Sequence, residues 1–341
     1  MQDVPIVRES KPPLQPGTRS KAPVFVLGCP RSGTTLLYHM LLSAGNFVIY
    51  RAESQVFNLL EPRFGDLRVP RNKCKLLDAW RSSPLFAKSG LDAHQLDAEV
   101  ITKCTNGGDF LRIMMEAMAR QQGVERWADC TPDHLLYLDR IKETIPDALV
   151  LHVIRDGRDV ALSMSKQGWI RPIPYRKSGN LEAAALYWDW SVNKGREGGK
   201  RFGSHYAEIH FEDLISNPKT TLANIGRFIE QELDYDRIQR VGIGSVSQPN
   251  SSFKTELQAG NFSPVGRWKT ALSGVELAKV ETLVGETLEQ LGYGCALPEA
   301  KRRNQRTLTR SLYHAYFGAK LFLKKKTPLG ALWTTRDLSW V

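Results

Sequence analysis

The residues of this 341-residue chain best suited to chemistry begin with a loop, Gly28-Cys-Pro-Arg-Ser-Gly-Thr-Thr35. It lies between an apolar run, Val24 to Leu27, and a helix-forming run from Thr34 to Leu42. Strand, glycine loop and helix N-terminus converge backbone amides on one point, an arrangement that holds a phosphate-type anion. Gly28-x4-Gly33 has Walker A spacing, but Thr34 stands where the lysine belongs and the fixed positive charge comes earlier, as Arg31. A loop with arginine inside it suits a phosphate-like group but not ordinary Mg-ATP hydrolysis. Taken alone, the stretch also reads as a plain strand-to-helix turn with a glycine bend.

A second pattern of this kind is Ile154-Arg155-Asp-Gly-Arg-Asp-Val-Ala-Leu-Ser163. Arg155 leaves the end of the continuous apolar run Leu149-Val-Leu-His-Val-Ile154, the signature of a strand buried on both faces of a parallel sheet. Ser163 follows about one turn into the next helix. A guanidinium and a hydroxyl can then close on one phosphate at the carboxyl edge of the sheet. The alternative is that Arg155 pairs locally with Asp159. Two anion positions at two strand ends, without a Walker lysine, favour a ligand phosphorylated at both ends over a nucleoside triphosphate.

The elements that must position these residues alternate strand and helix. After the loop helix, which ends near Ala44-Gly45, Val48–Leu60 carries Glu53. Residues 61–92, rich in Pro, Arg, Gly and Asp, read as a surface excursion that could form a substrate lid. A longer helix is predicted within 94–122 from Phe110, Ile113, Met114 and Met118. Arg126–Cys130 is a short strand leading into Thr131-Pro132, and 133–144 a helix. A helix over 179–200 bears Tyr187, Trp188 and Trp190. Tyr206 to Phe211 is a strand, followed by a helix from Pro218 to about Glu230. Residues 242–265 read as a long loop, and a last helix runs from about Gly274 to Leu291. The expected fold is α/β, an open, mostly parallel central sheet flanked by helices with right-handed crossovers. The expected organisation is a flexible leader over 1–20, one domain over 21–297 and a basic C-terminal extension over 298–341.

Composition fits a globular chain, 42% hydrophobic and 24% charged. No stretch of about 18 uninterrupted apolar residues suggests a membrane span, and residues 1–20 lack the apolar core of a signal peptide. Five cysteines without a CxxC pair indicate neither a disulfide frame nor a zinc site, which points to a reducing, cytoplasmic setting. The formal charge of +11 is concentrated in 300–341, where ten Lys/Arg face Asp337 alone. Such a tail admits peripheral contact with a membrane surface, or an arm that packs on the domain or a second subunit as a homodimer. No nucleic-acid partner is expected.

Three segments together, Pro30-Arg-Ser-Gly-Thr-Thr35, Val153–Ser163 and Phe211-Glu-Asp-Leu-Ile-Ser-Asn-Pro218, resemble the sulfotransferases that use 3′-phosphoadenosine 5′-phosphosulfate (PAPS). The resemblance covers roughly residues 22–293 and implies a P-loop NTPase-like sulfotransferase fold. It implies that Pro30, Arg31, Ser32, Gly33, Thr34 and Thr35 hold the 5′-phosphosulfate, and that Arg155 and Ser163 hold the 3′-phosphate. It sets Phe211 where the family has a tyrosine beside adenine. Gly266-Arg-Trp-Lys269 is similar to the family's late Gly-x-Trp-Lys element, although Asn261-Phe-Ser replaces the basic triplet before it; Arg267 and Lys269 are weaker cofactor residues on that ground. The product would be 3′,5′-adenosine bisphosphate, and no metal is implied.

Sulfuryl transfer needs cations and amides where charge grows on the leaving phosphate, and a base for the acceptor. Arg31 and the 32–35 amides meet the first need. Glu53 is the expected base, similar to the glutamate of the branch that includes tyrosylprotein sulfotransferases; helix capping or pairing with Arg51 are its alternatives, and His94 is the rival base. The family's lysine before Thr-Pro is replaced by Cys130, so Lys103, Lys166 or Arg158 must substitute, or Arg31 acts alone. The acceptor, a small molecule, glycan or lipid-like hydroxyl or amine, is expected between residues 54–110, the Trp188–Trp190 region and the 245–263 loop. A small-molecule P-loop kinase and a non-catalytic nucleotide-binding scaffold are the rival functions.

Overall fold

The computed structural model describes residues 19–92, 94, 96–173, 179–241, 263–298 and 307–327. The 1–18 part of the leader, residues 242–262 of the long loop and residues 328–341 lie outside them.

Four strands form one parallel sheet in the order β2-β1-β3-β4: β1 Val24–Leu27, β2 Ala128–Asp129, β3 Leu149–Ile154 and β4 Tyr206–His210. Both central strands, β1 and β3, are apolar along nearly their whole length because helices cover both faces, and every residue of each is buried. The strand order reverses between β1 and β3, whose carboxyl ends carry the Gly28–Thr35 loop and Arg155. This is the crevice where open α/β sheets take ligands. The α/β architecture expected from the sequence is the one observed.

Most boundaries match the sequence pattern. The loop helix is Thr34–Ala44 and stops at Gly45, which takes a positive φ of 86°. The helices Asn180–Gly199, Pro218–Ile229 and Gly274–Gln290 fall within a residue or two of expectation. Residues 94–122 hold two helices, Asp97–Lys103 and Gly107–Gln122, with Cys104 ending the first and Asn106 capping the second.

Four expectations are corrected. The excursion over 61–92 is no loose lid: helices Glu61–Phe64, Pro70–Arg81 and Pro84–Ser89 form there, and Leu76, Leu77, Trp80 and Leu85 sit in the core. Its prolines lie in first helical turns, where a missing N–H costs nothing. Residues 133–144 divide into a 3₁₀ segment, Pro132–Tyr137, and a helix, Leu138–Thr144. The helix ending at Gln290 is not the last, because Thr307–Lys326 forms another. Trp188 and Trp190 do not face an acceptor. Trp188 is buried under β3, its indole N–H donating to the Arg155 carbonyl at 3.1 Å. Trp190 packs on Phe317 of the C-terminal helix, ring centroids 5.4 Å apart.

That C-terminal helix is the described part of the extension. Tyr313 and Phe317 are buried against Asn180–Gly199, and Asp189 of that helix is fully buried. Asp189 receives Arg310 Nε at 2.6 Å, His314 Nε2 at 2.7 Å and the Thr287 hydroxyl at 2.5 Å. Burial pushes its carboxyl up, but the bonds from His314 and Arg310 outweigh this and hold it below the usual range. Lys325 donates to the Leu136 carbonyl and lies 4.4 Å from the Tyr137 ring; burial lowers its amine to about 8. The helix is an arm packed on the domain.

Candidate active site

The loop's shape follows from two glycines and one strained arginine. A Cβ on Gly28 would lie 2.5 Å from the Val153 carbonyl oxygen, so only glycine lets the loop pass this close to β3. Gly33 has φ +94°, and a Cβ there would meet the Phe211 ring at 2.2 Å. Arg31 itself is left-handed, with φ 74°, a conformation costly for a residue with a Cβ and typical of functional sites.

Arg31 Nε donates to the Ser163 hydroxyl at 3.0 Å. Ser163 lies nearer two turns than one into its helix, Gly157–Gln167, which is capped by the Asp156 side chain on Arg158 N. Arg155 Nη1 donates to the Arg31 carbonyl at 3.1 Å, Nη2 to the Pro264 carbonyl, and the guanidinium stands 3.7 Å from Asp159 and 4.7 Å over the Phe211 ring. The local Arg155–Asp159 pair is therefore present, without removing Arg155 from the loop. Phe211 fills the space between Gly33 and Arg155.

Arg267 completes a cationic cluster. Burial lowers the Arg31 pKa, and the charges of Arg155 and Arg267 lower it further. Burial likewise lowers Arg155. Arg267 is held there because Gly266 and Trp268 donate backbone N–H groups to Asp159 at 2.8 and 2.9 Å, while the Trp268 indole N–H reaches Asp156 at 3.0 Å. Lys269, by contrast, is exposed beside the Trp268 ring. Three guanidiniums held together are mutually repulsive and best balanced by an anion. Two buried polar atoms, Ser32 Oγ and Arg155 Nε, have no hydrogen-bond partner among the described residues, which is costly unless a ligand supplies one. Anionic phosphate oxygens fit both the charge and the orphaned donors.

Across the loop, Thr34 is buried and its hydroxyl hydrogen-bonds to Cys130; Thr35 is exposed and Pro30 half-buried. Burial, then Asp129 and Glu53, push the Cys130 thiol well up, so it is neutral. Two of the three expected substitutes are engaged elsewhere: Arg158 is bound to Asp156 and Glu281 at 2.8 Å each, and Lys103 pairs with Glu99.

Glu53 sits at the open side of this wall. Gln55 Nε2 donates to its carboxylate at 2.5 Å, and Asn58 orients Gln55 in turn. The turn is held by Asp129, which accepts from Thr131 N and from His134 Nδ1 at 2.9 Å, while Phe57 N–H donates to His134 Nε2. His134 is thus the neutral Nδ1–H tautomer. Glu53 remains solvent-accessible, yet the concave surroundings desolvate it, and with Asp133 and Asp129 nearby its pKa rises to about 7; Gln55 and Lys88 pull the other way. Neither helix capping nor an Arg51 pair accounts for it. His94 is instead exposed and bonded to Asp97 at 3.1 Å.

Sequence reasoning missed Lys88, Asp133 and Trp169. Asp133 follows Thr131-Pro132 directly and could have been found. Lys88 reaches the site only through the folding of residues 61–92. Trp169, half-exposed, places its ring 6.0 Å from the Arg31 guanidinium, just past the end of the Ser163 helix.

Fold and site define an α/β protein with a P-loop anion cradle whose fixed charge is arginine. The chain belongs to the sulfotransferase family, whose sequence model matches residues 23–235. Its fold is similar to the sulfotransferase domain of the Synechococcus PCC 7002 olefin synthase, at 18% identity, with 81% of this chain and 96% of that one covered and a TM-score of 0.52. It is similarly close to the sulfotransferase domain of the curacin biosynthetic pathway, at 15% identity, with 80% and 98% covered and the same TM-score of 0.52. At such identities the likeness is one of fold. No curated protein matches the chain by sequence. The protein is a sulfotransferase.

Proposed function

We propose that this sulfotransferase takes its sulfuryl group from PAPS and delivers it to a hydroxyl or amine of a small-molecule, glycan or lipid-like acceptor, with Glu53 as general base. One observation carries the reading: the Arg31–Arg155–Arg267 cluster with Ser163 and two orphaned donors stands on one side of the loop, and a carboxylate with pKa near 7 on the other.

PAPS supplies the sulfuryl group and a leaving phosphate that takes up negative charge. Arg31 and the amides of Ser32 to Thr35 stabilise that charge. Arg155, Ser163 and Arg267 hold the distal phosphate, and the Phe211 ring backs the adenine side. Glu53, oriented by Gln55, accepts the acceptor's proton as the new bond to sulfur forms. A base titrating near 7 is half-deprotonated at neutral pH and still strong enough to draw the proton. The setting proposed is cytoplasmic; among the described residues no helix is long and apolar enough to cross a membrane.

The test is titration with 3′,5′-adenosine bisphosphate by thermal shift, followed by radiolabelled-sulfate transfer across acceptor classes with and without EDTA. Stabilisation by the bisphosphate and EDTA-resistant transfer support the reading. Binding without transfer to any class favours a nucleotide-binding scaffold, and Mg-dependent turnover a kinase. Full transfer by a folded Glu53→Ala variant removes the base.

A further inference from the structure

The C-terminal helix, Thr307–Lys326, has a second face that its packing does not use. Its inner face is committed to the domain through Arg310, Tyr313, His314, Phe317 and Lys325. At 100° per residue, Leu308, Leu312, Ala315, Tyr316, Ala319 and Phe322 share the opposite side. Leu308 is 84% exposed, Leu312 58%, Tyr316 42% and Phe322 60%. Water-soluble faces seldom carry so continuous an apolar stripe.

We propose that this outward face docks on an anionic membrane surface, the helix lying in the plane of the headgroups. Charge selects the occupant. Lys301, Arg302, Arg303 and Arg306 precede the helix in sequence, and Lys320, Lys324 and Lys326 lie in its last turns, Lys325 being held by the domain. The apolar stripe flanked by cations is the pattern of a helix that buries one side at the acyl boundary and binds acidic headgroups. A second copy of the chain is a poor partner for the same face, because a two-fold contact would set one basic tail against another. The helix is too polar to span a bilayer. Its inner anchor on Asp189 keeps it folded before docking, so binding would not have to order it, and the catalytic domain would be held against the surface rather than on a loose tether.

The experiment uses the full-length chain and vesicles of phosphatidylcholine alone or with about 30% phosphatidylserine, sedimented at about 50 mM and about 500 mM salt. The expected result is binding at least about tenfold stronger to the anionic vesicles, lost at high salt. The double variant Leu312→Asp, Phe322→Asp should lower it about tenfold with an unchanged melting temperature, because both side chains are mostly exposed. Three results would overturn the proposal. One is equal or absent binding to both vesicle types at low salt, and another is undiminished binding by the double variant. The third is a dimer in sedimentation equilibrium that the double variant dissociates, since the face would then belong to a second copy.

Discussion

Arg31 Nε and the Ser163 hydroxyl, 132 residues apart in sequence, are hydrogen-bonded at 3.0 Å. The loop of β1 and the helix after β3 therefore share a wall, and the two proposed anion positions, read separately from the sequence, adjoin one another. Ser163 accepts from Arg31, and in the proposed reading its own hydroxyl hydrogen serves a ligand oxygen. Ser163→Ala should weaken 3′,5′-adenosine bisphosphate about tenfold, the value of a hydrogen bond to a charged group. Isothermal titration calorimetry measures it, and an unchanged Kd would remove Ser163 from the site.

The pKa of Glu53, raised to about 7 by desolvation and then by Asp133 and Asp129, fixes a direction for the pH profile. A base works only when deprotonated, so kcat/KM should rise with pH through about 7 and level off above it. Glu53→Gln should lower kcat by about 10²- to 10⁴-fold with bisphosphate affinity kept. Lys88 favours the charged form, so Lys88→Met should move the midpoint upward. A downward shift would contradict the placement of Lys88 beside Glu53.

Gly33 is pressed against Phe211. Gly33→Ala adds a Cβ 2.2 Å from that ring and forces a left-handed φ on alanine. A loss of about 1–3 kcal/mol is expected from the backbone alone, visible in urea denaturation. Adding Phe211→Ala should relieve the clash but not the backbone strain, so the double variant should be less destabilised than the sum of the singles. Simple additivity would show that the contact is absent in solution.

Asp189 anchors the C-terminal helix with its charge buried. Asp189→Ala leaves Arg310 without its main partner and should destabilise by about 3–5 kcal/mol. Because the folded carboxyl titrates below its unfolded value, its contribution is fully present above the unfolded pKa of about 3.9 and is lost as pH falls through the folded one. Denaturation midpoints across that acidic range should show wild type losing this stability while Asp189→Ala does not.

The sequence by itself determined whatever depends on near neighbours. The Gly28-x4-Gly33 spacing, the apolar run of β3 and the bounds of the helices starting at Thr34, Asn180, Pro218 and Gly274 were legible because strand, turn and helix preferences act over a few residues. The arginine positions 31 and 155 were legible because one lies inside the glycine loop and the other directly follows β3. Tertiary structure decided what those signals leave open. Helical spacing shows that Trp188 and Trp190 cannot both face one way, so at least one should be core, but not which; one packs under Arg155 and the other under Phe317, since burial depends on what covers a helix. The 61–92 segment reads as a loop from its composition, but Leu76, Leu77 and Trp80 are drawn into the core and carry Lys88 to Glu53. The tail's aromatic and basic residues gave no orientation until Asp189 selected the face bearing Arg310, His314 and Phe317. Long-range pairing such as Arg31 with Ser163 leaves no local trace, because it arises only when parallel strands bring distant loops to one edge of the sheet.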